Sequence, residues 1–142
     1  MIRRYNKEDI SRIVALEKEN LLSSLEEEFY ILNLDNPFAY HYVLMEQEEI
    51  IGFVSSIFDG NLLEILNLVI DKKYQSKGYG TRLLKEVFVE LMSKGLKRVI
   101  LEVRESNTKA KALYSSLGFK TISIRYSYYA NKENALVMQK EL

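Results

Sequence analysis

Asp71-Lys-Lys-Tyr-Gln-Ser-Lys-Gly-Tyr-Gly80 joins an apolar stretch, Leu62–Asp71, to an amphipathic one, Gly78–Lys94. Leu62–Asp71 reads as a strand. In Gly78–Lys94 the residues Leu83, Leu84, Val87, Phe88, Leu91 and Met92 fall on one helical face, and Gly95 is placed to close the helix as its C′ residue. A strand, a glycine loop and a helix start make a site for an anion. The first helical N–H groups have no acceptor within the helix, and the macrodipole leaves positive charge there. Gly78 and Gly80 carry no Cβ, so backbone can come close to an oxygen, and Lys73, Lys77 and Arg82 add positive charge. The dinucleotide fingerprint fails, because Leu83 stands where its third glycine belongs, and no Walker A loop is present. A tight turn that needs glycine for its own geometry is the plain alternative. The preceding Gln75, Ser76 and Lys77 and the long helix that follows favour the anion site.

Working outward, hairpin-length connectors lie upstream and helical crossovers downstream. Tyr40–Glu46, Ile50–Phe58 and Leu62–Asp71 read as strands, separated by Gln47-Glu-Glu49 and Asp59-Gly-Asn61, so this part is expected to be antiparallel. Before them come a short strand at Ile2–Tyr5 and a helix running to about Asn20, opened by an Asn6/Asp9 capping box. A second helix is expected from near Ser24, carrying Leu25, Phe29, Ile31 and Leu32, and stopped by Asn36-Pro37. After the long helix come a strand at Arg98–Val103 and a helix from Asn107 to Leu117 closed by Gly118. Strands at Phe119–Tyr126 and Ala135–Lys140 finish the chain. The order predicts an α/β chain with one mixed, mostly antiparallel sheet covered by helices, read as a single domain over residues 1–142.

Composition narrows the chemistry. The 142 residues hold 20 Lys and Arg against 20 Asp and Glu, so the broad basic footprint of a nucleic-acid binder is not expected. With no cysteine and one histidine, His41, disulfides, thiolate metal sites, a cysteine nucleophile and a multi-histidine zinc site are excluded, and no metal is expected. His41 is read as a strand residue without chemistry, and Glu26-Glu-Glu28 as a solvated helix face with a minority chance of attracting a basic peptide. No apolar run reaches the ~18–20 residues that cross a bilayer, and the first residues lack a signal peptide's apolar stretch. A cytoplasmic protein without membrane partners is expected.

Gln75-x-x-Gly78-x-Gly80 matches the Q/R-x-x-G-x-G/A signature of the GNAT N-acetyltransferases, and the element order resembles theirs. Leu101–Asn107, Ala112–Phe119 and Ile124–Tyr129 are similar to the ribosomal-protein-alanine N-acetyltransferase branch, the RimI type. The match is good over about residues 62–140 and looser before. The resemblance implies a GNAT fold of about seven strands with helices on both faces, with acetyl-CoA as cosubstrate. It implies that the backbone of Leu68, Val69 and Ile70 meets the acetyl and pantetheine portion. Gln75, Ser76, Lys77, Gly78, Tyr79, Gly80 and Thr81 form the pyrophosphate loop, and Asn107 contacts the cofactor. Glu102 is implied as general base and Tyr114 as general acid. The implied acceptor is a protein N-terminus, expected on a ribosomal protein. One departure bears on the acceptor. The family's Pro-Trp-Ser/Thr segment is replaced here by Leu21-Leu-Ser-Ser-Leu25, and the chain has no tryptophan.

The chemistry is reasonable for these groups. An α-amine with a pKa of ~7.7–8 is appreciably neutral at pH 7, whereas a lysine at ~10.4 is not, so a carboxylate acting through water can serve the former. A partly dry cleft would make Glu102 a stronger base. Its plain alternative is a strand glutamate facing solvent or paired with Arg104. Tyrosine at ~10 is about 1.5 units too weak an acid for a thiolate at ~8.5, a gap of about 2 kcal/mol that an environment can close. For Tyr114 the plain alternative is core packing beside Leu113 and Leu117. Tyr126, Tyr128 and Tyr129 either line an acceptor-peptide groove or pack on a sheet. Two rivals remain: a lysine, polyamine or other small-amine acceptor on the same fold, and an acyl-CoA sensor without catalysis.

Overall fold

A computed structural model of the chain describes residues 1–21 and 24–142. The order along the chain is β1 (Ile2–Arg4), α1 (Ile10–Asn20), α2 (Glu26–Leu32), β2 (Tyr42–Glu46), β3 (Glu49–Phe58), β4 (Leu62–Ile70), α3 (Tyr79–Met92), β5 (Arg98–Arg104), α4 (Thr108–Ser116), β6 (Lys120–Arg125) and β7 (Ala135–Glu141). The strands form one sheet ordered β1-β2-β3-β4-β5-β7-β6. Among the described residues only β4 and β5 run parallel; every other pair is antiparallel. The expected mixed, mostly antiparallel sheet with helices on both faces is what forms.

Two apolar layers hold it. Leu83, Leu84, Val87, Phe88 and Leu91 of α3 pack with Tyr114 of α4 against Val54, Leu63, Ile65, Leu101 and Val103 on one face. Ile10, Ile13 and Leu16 of α1 pack with Tyr30 of α2 against Val43, Phe53 and Val69 on the other. Each face is an alternate set of strand side chains, the period-2 pattern that lets one sheet bury both sides.

Two helices end as the glycines predict. Leu96 N–H bonds the Leu91 carbonyl at 3.0 Å and Gly95 N–H bonds that of Met92 at 3.2 Å. Phe119 N–H bonds Tyr114 at 2.9 Å and Gly118 N–H bonds Ser115 at 3.0 Å. Both are Schellman turns, with Gly95 at φ +103° and Gly118 at φ +94°. At the other terminus Asn6 N–H donates to the Asp9 carboxylate at 2.8 Å, one arm of the expected capping box.

The second helix corrects the sequence reading. It starts at Glu26, and the side chain it buries is Tyr30, at 0% exposure; Ile31 and Leu32 are exposed. Seven residues, about two turns, are too few for apolar spacing to define the inner face. Glu26, Glu27 and Glu28 are exposed, as expected for a solvated face. The Leu21–Leu25 segment that replaces the family's Pro-Trp-Ser/Thr lies partly outside the described residues. No helix among the described residues is long and apolar enough to cross a membrane.

Candidate active site

A β-bulge decides where the site opens. Ser55 of β3 pairs with Asn67 and Ser56 with Ile65, so Leu66 is the extra residue in β4. Beside the bulge β4 loses its other partner: pairing with β5 stops at Ile65↔Leu101. From there β4 and β5 part, and a cleft of about 610 Å³ fills the gap. Leu66, Asn67 and Leu68 of β4, Glu102 and Val103 of β5, and Asn107 and Tyr114 line it, with Tyr128 and Tyr129. The bulge also resets which way β4 side chains face. Ile65, Leu68 and Ile70 pack with the α3/α4 layer, while Val69 packs with the α1/α2 layer.

The loop after β4 carries its expected features. Ser76 at φ +61° and Gly78 at φ +87° bend the backbone, and Gly78 caps α3. The first helical bond runs from Arg82 N–H to the Gly78 carbonyl at 3.0 Å, so the N–H groups of Tyr79, Gly80 and Thr81 precede the ladder. A Cβ on Gly78 would meet nothing within 4 Å, so its glycine serves the left-handed turn. Gly80 differs: its Cβ would lie 3.3 Å from Leu113 Cδ2 and 3.9 Å from Leu68 Cδ2. It lets α3 approach α4 and the end of β4. The Gln75 side chain is engaged within the protein, donating from Nε2 to the Ile70 carbonyl at 2.8 Å, with Lys109 Nζ 3.3 Å from its Oε1. Tyr79 stacks edge-on with Tyr74 at 5.7 Å. Residues 75–81 stand beside the cleft, adjoining it through Leu68, and do not line it.

These features fit an acyl-CoA. A short run of N–H groups with no helical partner suits a pyrophosphate, and the β4 backbone at Leu68, Val69 and Ile70, released from β5, can pair with an extended amide chain.

Asn107 caps α4, its Oδ1 accepting from Ala110 N–H at 3.1 Å, and borders the cleft. Tyr114 follows two turns later. It is 6% exposed, packs on Phe119 at 5.5 Å, and burial pushes its phenol well above its ordinary value. The packing alternative is met, and the ring also lines the cleft.

Glu102 is placed differently from the dry setting expected. Its neighbours Leu101 and Val103 enter the core, so Glu102 faces the opposite side of β5 with its side chain 32% exposed. Its ion-pair partner is Arg125, with Nε 3.4 Å from Oε1, whereas Arg104 pairs with Glu133 at 3.3 Å. Glu102 in turn raises the phenol of Tyr128 above its usual value. Tyr129 lies under the Arg104 guanidinium at 3.8 Å, and Tyr126, at 74% exposure, does not line the cleft. His41 directly precedes β2, buried at 1%, its Nδ1 accepting from Ser56 N–H at 3.0 Å. Burial and then Arg4 lower its pKa to about 4, so it is a neutral core imidazole. Residues the sequence did not single out also meet here: Arg125, and Asn67 with the buried Glu17 behind it. A charged residue on an amphipathic helix carries no mark that it will be buried.

The model of the acetyltransferase (GNAT) family matches residues 9–119. The chain belongs to that family. It is an acetyl-CoA-dependent N-acetyltransferase. The ribosomal protein bS18-alanine N-acetyltransferase of Haemophilus influenzae is 35% identical over 143 residues, covering 91% of this chain and 95% of that one. The enzyme of the same name from Haemophilus ducreyi is 39% identical over 99 residues, covering 66% and 67%. The crystal structure of the ribosomal-protein-S18-alanine N-acetyltransferase from Escherichia coli superposes with a TM-score of 0.90 at 27% identity, covering 99% of this chain and 92% of that one. The resemblance read from the glycine loop and the C-terminal half of this GNAT chain is thereby established.

Proposed function

We propose that this protein, acting through one catalytic domain, transfers acetyl from acetyl-CoA to the N-terminal α-amine of a protein, with a ribosomal protein of the bS18 kind as acceptor. The observation that carries the reading is one cleft bordered by Glu102, Tyr114, Tyr128 and Tyr129. Relatives named for bS18 acetylation at 35% and 39% identity support the acceptor. A tyrosine-lined cleft suits a peptide, whose backbone and side chains rest well on amphipathic rings.

In this mechanism the N–H groups of Ser76 to Thr81 hold the pyrophosphate, and Gln75 braces the loop through Ile70. Leu68, Val69 and Ile70 present backbone to the pantetheine and acetyl carbonyl, with Asn107 at the far wall. Glu102 accepts the proton of the incoming ammonium, directly or through water. At pH 7 about a tenth of α-amines are already neutral, so modest basicity suffices. Arg125 and Tyr128 orient the carboxylate. Tyr114 donates its proton to the departing sulfur. Burial keeps Tyr114 protonated until the sulfur departs; it raises the phenol, and the thiolate leaving into the same dry setting becomes more basic with it, so the two move in the same direction.

The test is mass spectrometry of peptides beginning with different residues, incubated with protein and acetyl-CoA. Acetylation at the α-amine is expected. Free amines acetylated while every N-terminal peptide stays unmodified would move the acceptor to a small molecule.

A further inference from the structure

Glu17 of α1 is 0% exposed. Its Oε2 accepts from Tyr30 Oη at 2.7 Å, from Asn67 Nδ2 at 2.6 Å and from Leu25 N–H at 3.5 Å. The Tyr30 hydroxyl also lies 2.7 Å from Ser55 Oγ. Among the described residues Oε1 receives nothing, and no lysine or arginine pairs with Glu17. An unmet buried acceptor costs about 1–3 kcal/mol. Packing of α1 does not require that cost, since an apolar side chain would fill the same place.

Glu17, Tyr30 and Ser55 do not line the cleft; Asn67 does. The extra residue Leu66 turns Asn67 toward the α1/α2 face, where Glu17 holds it. An oxygen that takes the hydrogens of Tyr30 and Leu25 takes one from Asn67 too, which fixes the orientation of the amide. Nδ2 is committed to Glu17, which leaves Oδ1 as the acceptor end of the amide. Glu102, turned away from the α3/α4 layer, lies on the same face of the sheet, across the gap between β4 and β5. The two walls of the gap thus each offer an acceptor oxygen, and an amine nitrogen is a donor that can use both.

We infer that Asn67, oriented by buried Glu17, positions the acceptor's reactive amine opposite Glu102 by accepting one of its hydrogens on Oδ1. Glu17 acts as a positioning residue and never meets the amine. An amine donating to both walls keeps its lone pair free to face the gap between the strands. The inference rests on the acetyl-transfer reading above and specifies how the acceptor is seated.

The experiment measures peptide KM and kcat at saturating acetyl-CoA, with acetyl-CoA Kd and Tm measured separately. Asn67→Leu is expected to raise peptide KM by about tenfold or more and leave acetyl-CoA Kd within about twofold. Glu17→Leu frees the amide and moves KM the same way. Glu17→Gln can offer its oxygen to the same three donors and brings KM back near the wild-type value. Val14→Ala, which loosens α1 outside this network, lowers Tm alone. Wild-type KM and kcat in Asn67→Leu overturn the inference, as does a Glu17→Leu effect confined to Tm. If Glu17→Leu does not fold, Asn67→Leu decides alone. If wild-type protein acetylates free amines and no peptide, the α-amine reading falls, and the same KM comparison on the free amine decides this one. If it acetylates no amine, both fall.

Discussion

Glu102 and Tyr114 stand on opposite faces of the sheet and border the same cleft. Tyr114 belongs to the α3/α4 layer, Glu102 faces away from it, and the parting of β4 and β5 after Ile65↔Leu101 joins the two sides. In the proposed mechanism this keeps the group that removes a proton from the acceptor apart from the one that returns a proton to the donor. Neither can neutralise the other before the substrates lie between them.

Replacing Glu102 with Gln removes the proposed proton acceptor and keeps the shape. The expected loss in kcat/KM is ~10²–10⁴-fold, with acetyl-CoA Kd unchanged by calorimetry. Since the side chain is 32% exposed, Tm should hardly move. A rate within a factor of about two of wild type would remove Glu102 from the mechanism.

Tyr114→Phe retains the ring that packs on Phe119 and deletes the hydroxyl. The account expects kcat to fall by about 10²-fold while Tm stays level. Stopped-flow measurement of thiol release reads the affected step. Undiminished release would leave Tyr114 as a core residue only.

Gly78 and Gly80 separate two uses of glycine. Gly78→Ala forces an L-residue to φ +87°, which costs roughly 1 kcal/mol and disturbs the N–H groups beside it. Acetyl-CoA affinity should drop while thermal stability falls little. Gly80→Val pushes on Leu113, already 3.3 Å away for a Cβ, and so shifts the helix that carries Tyr114. Loss of kcat as well as affinity is expected, by steady-state kinetics and calorimetry.

His41 gives an acid limit to stability. Its pKa is about 4 in the fold against 6.5 in the unfolded chain. Above pH 6.5 both forms are neutral and stability is complete. Below it the unfolded chain takes the proton first, so stability falls as pH drops toward 4, by about 3 kcal/mol in all. Urea midpoints at pH 7 and pH 4.5 should reveal this loss, and His41→Asn should flatten the slope attributable to that site.

Much of this was legible because it rests on local rules. The Schellman glycines Gly95 and Gly118, the apolar face of α3 and the loop before it are set by neighbours within a few residues. Strand β7 lies between β5 and β6, an arrangement that depends on pairings such as Glu102↔Val137, far apart in sequence. The bulge at Leu66 leaves no mark in an apolar run, yet it opens the cleft and turns Asn67 toward Glu17. Tyr30 was hidden for a related reason: α2 has too few turns for spacing to say which aromatic goes inward. Glu102 was singled out by resemblance, and its ion-pair partner Arg125 sits on β6, where no spacing rule connects them.

The most direct test of the central claim is intact-mass and fragment-ion analysis of an alanine-initiated peptide from a bS18-type N-terminus, incubated with acetyl-CoA and either wild-type or Glu102→Gln protein. The account predicts one acetyl group on the α-amine with wild type and at most about a hundredth of that rate with the variant. Equal acetylation by both proteins, or acetyl found only on lysine side chains, would contradict it.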